Sequence, residues 1–99
     1  MLELKNIEKR IEKIKNQLVD IKEMRPGSLT CQQRKSKEKY GAYWQLSYTH
    51  LNKGRTDYIR KGYVPEVEKQ IEEYKKFKSL MDEWVSLAIE HSKMKMKSN

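Results

Sequence analysis

The chain has 99 residues, 36% of them hydrophobic and 36% charged, with a formal net charge of +8 and a mean hydropathy of −1.02. That length suits one domain, and so polar a composition allows only a thin core, to which burial against a partner is a natural supplement. A single cysteine, Cys31, excludes an intrachain disulfide scaffold; no apolar run is long enough to span a membrane, and the mixed-charge start MLELKNIEKR lacks the apolar stretch of a signal peptide, so an intracellular protein is expected.

Residues 1–24 read as the first helix. Leu4, Ile7, Ile11, Ile14, Leu18 and Ile21 recur at spacings of three and four, the repeat of a coiled-coil seam, while Lys, Glu, Asn and Gln fill the other faces. Arg25-Pro26-Gly27 ends it, because proline disfavours helical geometry in the residue before it and glycine accepts turn geometries. Ser28 to Lys39 is polar and basic and reads as loop or a weak edge strand. Cys31 sits there as a plain small side chain near a loop; the alternative is a reactive or intermolecular thiol, which needs surroundings that favour the thiolate.

Tyr40 to His50 alternates as a strand, with Tyr43, Gln45, Ser47 and Thr49 on one face and Trp44, Leu46 and Tyr48 on the other. Leu51-Asn52-Lys53-Gly54 is a turn signal in which Gly54 is expected to supply the positive φ, and Arg55 to Ile59 is the returning strand of a β-hairpin. Pro65 opens the second helix, where its missing N–H costs nothing; Glu66 and Glu68 near its start and Lys93, Lys95 and Lys97 near its end suit the helix dipole. Val67, Ile71, Tyr74, Phe77, Leu80, Met81, Trp84, Val85, Leu87 and Ala88 spread over about 200° of helix arc, more than the roughly 100° of a one-sided surface helix. Such a helix buries two faces, one against the first helix and one against the hairpin or a second chain.

The expected architecture is therefore α+β and a single domain over residues 1–99. It comprises a long helix (1–24), a basic loop and central β-hairpin (25–64), a long helix (65–93) and a frayed tail (94–99). The helices are expected to pack antiparallel in a coiled-coil-like manner. The abundance of Lys and Glu also suggests ion-pair networks of the kind found in thermostable proteins.

Charge is concentrated in the middle. Residues 25–64 hold nine basic and two acidic groups, net +7, against +1 for residues 1–24 and zero for residues 65–99. Tyr40, Tyr43, Trp44, Tyr48, Tyr58 and Tyr63 lie in the same segment. Basic residues interleaved with aromatics fit nucleic acid, DNA or RNA, since Lys and Arg neutralise phosphates and rings stack unpaired bases. Arg34, Lys35, Lys37, Lys39, Lys53, Arg55, Arg60 and Lys61 are the candidate phosphate contacts. Tyr43 and Tyr48 are the candidate stacking rings; they lie on opposite strand faces, so at most one is available. The same residues also fit a plainer arrangement, in which the aromatics pack on the helices and the lysines form a solvated face, or contact with an acidic protein surface.

Chemistry for catalysis is missing. His50 and His91 have no companions at metal-ligand spacing, and there is no glycine-rich phosphate loop or nucleophile elbow. Glu72, Glu73, Asp82 and Glu83 lie on the polar side of the second helix as solvated charges. The expectation is a protein that is not an enzyme, with no metal and no cofactor.

Three stretches carry a family resemblance: Arg25-Pro26-Gly27-Ser28-Leu29; Tyr40 through Thr49 (YGAYWQLSYT); and Gly54-Arg55-Thr56 with Tyr63-Val64-Pro65. They resemble a family of small uncharacterised archaeal, bacterial and archaeal-virus proteins, over about half the chain. Size and composition are also similar to those of small proteins of filamentous viruses infecting hot, acidic archaea. The resemblance implies a helix–hairpin–helix layout, a thermostable product and, for a viral member, residence in the host cytoplasm with a host or virion protein as an alternative partner. It implies no activity. Cellular relatives often carry a cysteine cluster before the aromatic strand. Here that stretch has Cys31 with Arg34, Lys35, Lys37 and Lys39, so a metal role does not carry over. The leading expectation is a homodimeric module that contacts nucleic acid through its basic, aromatic segment.

Overall fold

A computed structural model describes residues 2–33 and 42–98. The element order is α1 (Leu2–Val19), β1 (Ser28–Gln33), β2 (Ala42–His50), β3 (Lys53–Ile59), a 3₁₀ turn (Lys61–Tyr63) and α2 (Val64–Ser98). The fold is α+β, but the hairpin expected from sequence is part of a larger sheet. Three antiparallel strands pair in the order β1-β2-β3. The polar stretch that reads as loop or weak edge strand supplies β1.

Two compact units divide the chain. Residues 23–74 form one, built from the sheet and the first turns of α2. Leu46 and Val67 are fully buried and Ile71 nearly so, with Leu29, Tyr48 and Ile59 packed against them. The register explains this core. Leu29 pairs with Leu46, Cys31 with Trp44 and Trp44 with Ile59, so these side chains share one sheet face. Val64, Val67 and Ile71 recur at three and four residues along α2 and cover it.

The other unit combines residues 1–22 with residues 75–99. Here Glu8 Oε2 lies 2.9 Å from His91 Nε2, Arg10 pairs with Glu83 at 2.6 Å and the Lys15 ammonium stands 5.5 Å from the Trp84 ring centroid. The partner number falls from His91 to Trp84 as α1 advances from Glu8 to Lys15, so α1 and this part of α2 run antiparallel. The hydrogen bond to His91 holds the Glu8 carboxyl below its ordinary value. Ile7 and Ile14 are buried, and Leu4, Ile11 and Leu18 half-buried, as the seam pattern requires.

Boundaries differ from expectation at three places. α1 stops at Val19 instead of continuing to residue 24. Asp20 is a poor helix former and unfavourable at the negative end of a helix dipole, and the last turn tightens with Asp20 N–H donating to Gln17 O and Ile21 N–H to Leu18 O. The tail expected to fray from residue 94 is helical through Ser98; Met94 continues the half-buried three–four spacing of Leu87 and His91. The hairpin turn is made by Leu51 and Asn52, with φ of 52° and 65°, while Gly54 lies within β3 opposite Thr49. Two central residues with positive φ form the tight turn whose twist matches that of antiparallel strands.

Candidate nucleic-acid interface

Alternation along three paired strands gives the sheet two chemically distinct faces. The inner face carries the core and also Arg55, paired opposite Tyr48, and Asp57, opposite Leu46. The outer face consists of the rows Ser28–Ser47–Thr56, Thr30–Gln45–Tyr58, Gln32–Tyr43 and Thr49–Gly54. Among the described residues no charged side chain of these strands interrupts it, in a chain of which 36% is charged. On this face the Tyr43 and Tyr58 rings meet diagonally across β2 and β3, with centroids 5.8 Å apart and planes inclined by 56°. Tyr58 is 73% exposed.

Tyr48 has a different environment. Its ring packs on the core cluster and carries the Arg25 guanidinium 5.0 Å from its centroid. Arg25 Nη2 donates to Asp57 Oδ2 at 2.7 Å, and the Arg25 backbone N–H donates to Gln70 O at 3.1 Å. That hydrogen bond from Arg25, joined by one from the Tyr48 hydroxyl, holds the Asp57 carboxyl below its ordinary value. One arginine thus ties the segment before β1 to β3, to β2 and to α2.

An open cleft of about 560 Å³ is lined by Arg25, Asp57, Tyr58, Ile59, Arg60 and Tyr63. Gln70 Nε2 reaches the Tyr63 hydroxyl at 3.5 Å, and Gln70 Oε1 is buried with no hydrogen-bond partner among the described residues.

The sequence-predicted site residues separate into groups. Tyr43 lies at the end of the sheet where β2 begins and β3 finishes, and Arg60 and Lys61 follow Ile59 at that same end. Lys53 and Arg55 are near the hairpin turn at the opposite end, on rows of the inner face. Arg34, Lys35, Lys37 and Lys39 lie outside the described residues. Two contributors escape a reading of the sequence alone. Tyr58 joins Tyr43 only through the β2–β3 register. Arg25, which reads as part of a helix-terminating tripeptide, finds Asp57 at a separation of 32 residues.

Among the described residues, no three His, Cys, Asp or Glu side chains are placed to hold a metal ion. None of the described helices is long and apolar enough to cross a membrane.

The family of domains of unknown function DUF6788 matches the chain over residues 4–69, about two thirds of its length. The chain belongs to the DUF6788 family. The match takes in most of α1, the three described strands and the start of α2, and so contains the Arg25–Asp57 link and the cleft of this DUF6788 domain. Neither a curated protein nor a solved structure matches the chain.

Proposed function

We propose that this DUF6788 protein is a binding module, not an enzyme, that holds single-stranded nucleic acid on the outer face of its sheet. The observation that carries the reading is the Tyr43–Tyr58 ring pair, half-buried at Tyr43 and exposed at Tyr58, on an uncharged face, with Arg60 and Lys61 at the same sheet end. Unpaired bases stack on tyrosine rings for about 1–3 kcal/mol each, and side-chain amides and hydroxyls such as Gln45 and Thr30 suit base edges without the repulsions a charged face would bring. Basic residues around the platform supply the phosphate term. Lys53 and Arg55 have a smaller part in this reading than the sequence suggests.

Fluorescence anisotropy with labelled single- and double-stranded DNA and RNA tests it. Single strands are expected to bind more tightly than duplexes and to weaken steeply with salt. Tyr43→Ala and Tyr58→Ala are each expected to lower affinity about tenfold. No binding to any of the four at low salt refutes the reading.

A second reading concerns assembly. Val85 and Ile89 are half-exposed and Met96 is 72% exposed, a stripe along one side of α2. Asp82 and Glu90 flank its beginning and Lys93 and Lys97 its end, so a second copy running antiparallel would set opposite charges together. Homodimerisation through this stripe, and coiled-coil-like packing of the α1 seam, complete the proposal. A thermostable product, of archaeal or archaeal-virus origin and acting inside the cell, fits the Lys- and Glu-rich composition and the sequence resemblance. The alternative is a structural protein of such a virus that binds a host or virion protein, supported by recovery of a stoichiometric protein partner that survives nuclease treatment.

A further inference from the structure

We infer that the cleft at the end of β3 takes one nucleotide, its base against the Tyr58 and Tyr63 rings and its phosphate on Arg60. The inference rests on the nucleic-acid reading and adds to it a discrete site for a single unit of the strand. The cleft volume of about 560 Å³ falls within the roughly 300–1,000 Å³ of small-ligand sites. Two of its lining side chains are tyrosines with exposed rings, 73% for Tyr58 and 45% for Tyr63.

The charges have separate tasks. Arg25 is committed to Asp57 and to the Tyr48 ring. Arg60 is exposed and, among the described residues, makes no ion pair, so its guanidinium is the one suited to a phosphate, which it can grip with two parallel hydrogen bonds. The Arg25–Asp57 pair sets donors beside an acceptor in the cleft lining. Every nucleobase edge carries an acceptor beside a donor or within reach of one, so the pair can meet a base without selecting among the four.

Gln70, only 8% exposed, donates its amide N–H to the Tyr63 hydroxyl at 3.5 Å and so helps to hold that ring in place. Tyr58 belongs both to the outer-face ring pair and to the cleft, so a strand stacked on the sheet has a continuous aromatic route into the site.

The experiment titrates the full chain with adenosine 5′-monophosphate, adenosine and inorganic phosphate by nuclear magnetic resonance, alongside a single-stranded oligonucleotide followed by anisotropy. The monophosphate is expected to bind about tenfold more tightly than adenosine or phosphate alone. Arg60→Gln and Tyr63→Leu are each expected to weaken it about tenfold, whereas Lys78→Gln, a matched loss of charge in the other unit, leaves it unchanged. Arg60 is exposed, so Arg60→Gln keeps the fold intact and the test interpretable even where Tyr63→Leu does not. If the oligonucleotide binds and the monophosphate does not, or if Arg60→Gln binds it as well as wild type, the cleft assignment is overturned and the nucleic-acid reading stands. Phosphate binding as tight as that of the monophosphate reduces the site to an anion site and also overturns the assignment. Binding of neither monophosphate nor oligonucleotide overturns both.

Discussion

Replacing Gly27 with alanine is expected to be among the most damaging single-methyl changes available in this protein. Gly27 has φ of +127°, a conformation that L-residues rarely adopt, and forcing a side chain into such a region costs roughly 1–3 kcal/mol. A Cβ built there would lie 2.7 Å from the Ser47 carbonyl oxygen, 3.0 Å from Leu46 Cδ1 and 3.1 Å from Tyr48 Cβ. Backbone and core must then move, and overpacking of this kind adds about 1–3 kcal/mol. Because Ser28 pairs with Ser47 immediately beyond, the displacement falls on the first rung of the β1–β2 ladder. A total near 4 kcal/mol is a large part of the ~5–15 kcal/mol that stabilises a domain of this size, and corresponds to a fall in Tm of more than about 15 °C. Urea and thermal unfolding in a Trp84→Phe background reads the sheet unit through Trp44 alone, since the chain has two tryptophans. Gly62→Ala is the control: a Cβ there meets nothing within 4 Å, and its effect is expected to stay within about 1 kcal/mol. If Gly27→Ala unfolds within about 1 kcal/mol of wild type, the close approach of this residue to β2 is refuted.

Leu51→Asn is expected to raise stability by about 0.5–1 kcal/mol in the same unfolding assay, because a left-handed backbone suits asparagine better than leucine and the 81% exposed Leu51 gives up little burial; a loss of stability contradicts this turn geometry. Asp57 titrates below its ordinary value of 3.8 in the folded protein, so its contribution is complete above that pH and disappears as pH falls through the depressed folded value. Acid unfolding of Asp57→Asn, compared with wild type, is expected to be less dependent on pH in that window, and identical acid limbs exclude the Arg25–Asp57 link as its source. If the proposed homodimer forms, Ile89→Glu is expected to leave a folded monomer in light scattering on a sizing column, and a wild-type protein that is monomeric at micromolar concentration removes that proposal altogether.

Much of the scaffold is legible in local pattern. The spacing of Leu4, Ile7, Ile11, Ile14 and Leu18 marks the covered side of α1, Pro65 lies in the first turn of α2, and the alternation of Tyr43 to Thr49 assigns the two faces of β2 correctly. These features report on burial within a single element, which periodicity encodes directly. β1 is less legible, because SLTCQQ carries one large apolar side chain and takes its structure from pairing with β2. The turn is misplaced by reading, since Gly54 attracts the positive φ that the tight loop actually imposes on Leu51 and Asn52. The site is the least legible part. Tyr58 meets Tyr43, and Arg25 meets Asp57, only after three strands have found their register, and no window of neighbouring residues contains that information.

The Arg25–Asp57 link has a consequence for how the sheet is assembled. A one-residue slip of β3 along β2 would carry Thr56 and Tyr58 inward and Asp57 out to the opposite face. The arginine would then stand over Tyr48 with no carboxylate to meet it, and the charge-free outer face would acquire an acid in its centre. Mis-registered pairings are therefore penalised on both sides of the sheet at once. The ion pair acts as an alignment pin for the edge strand, discriminating among pairings that the few apolar side chains of β3 would leave nearly degenerate.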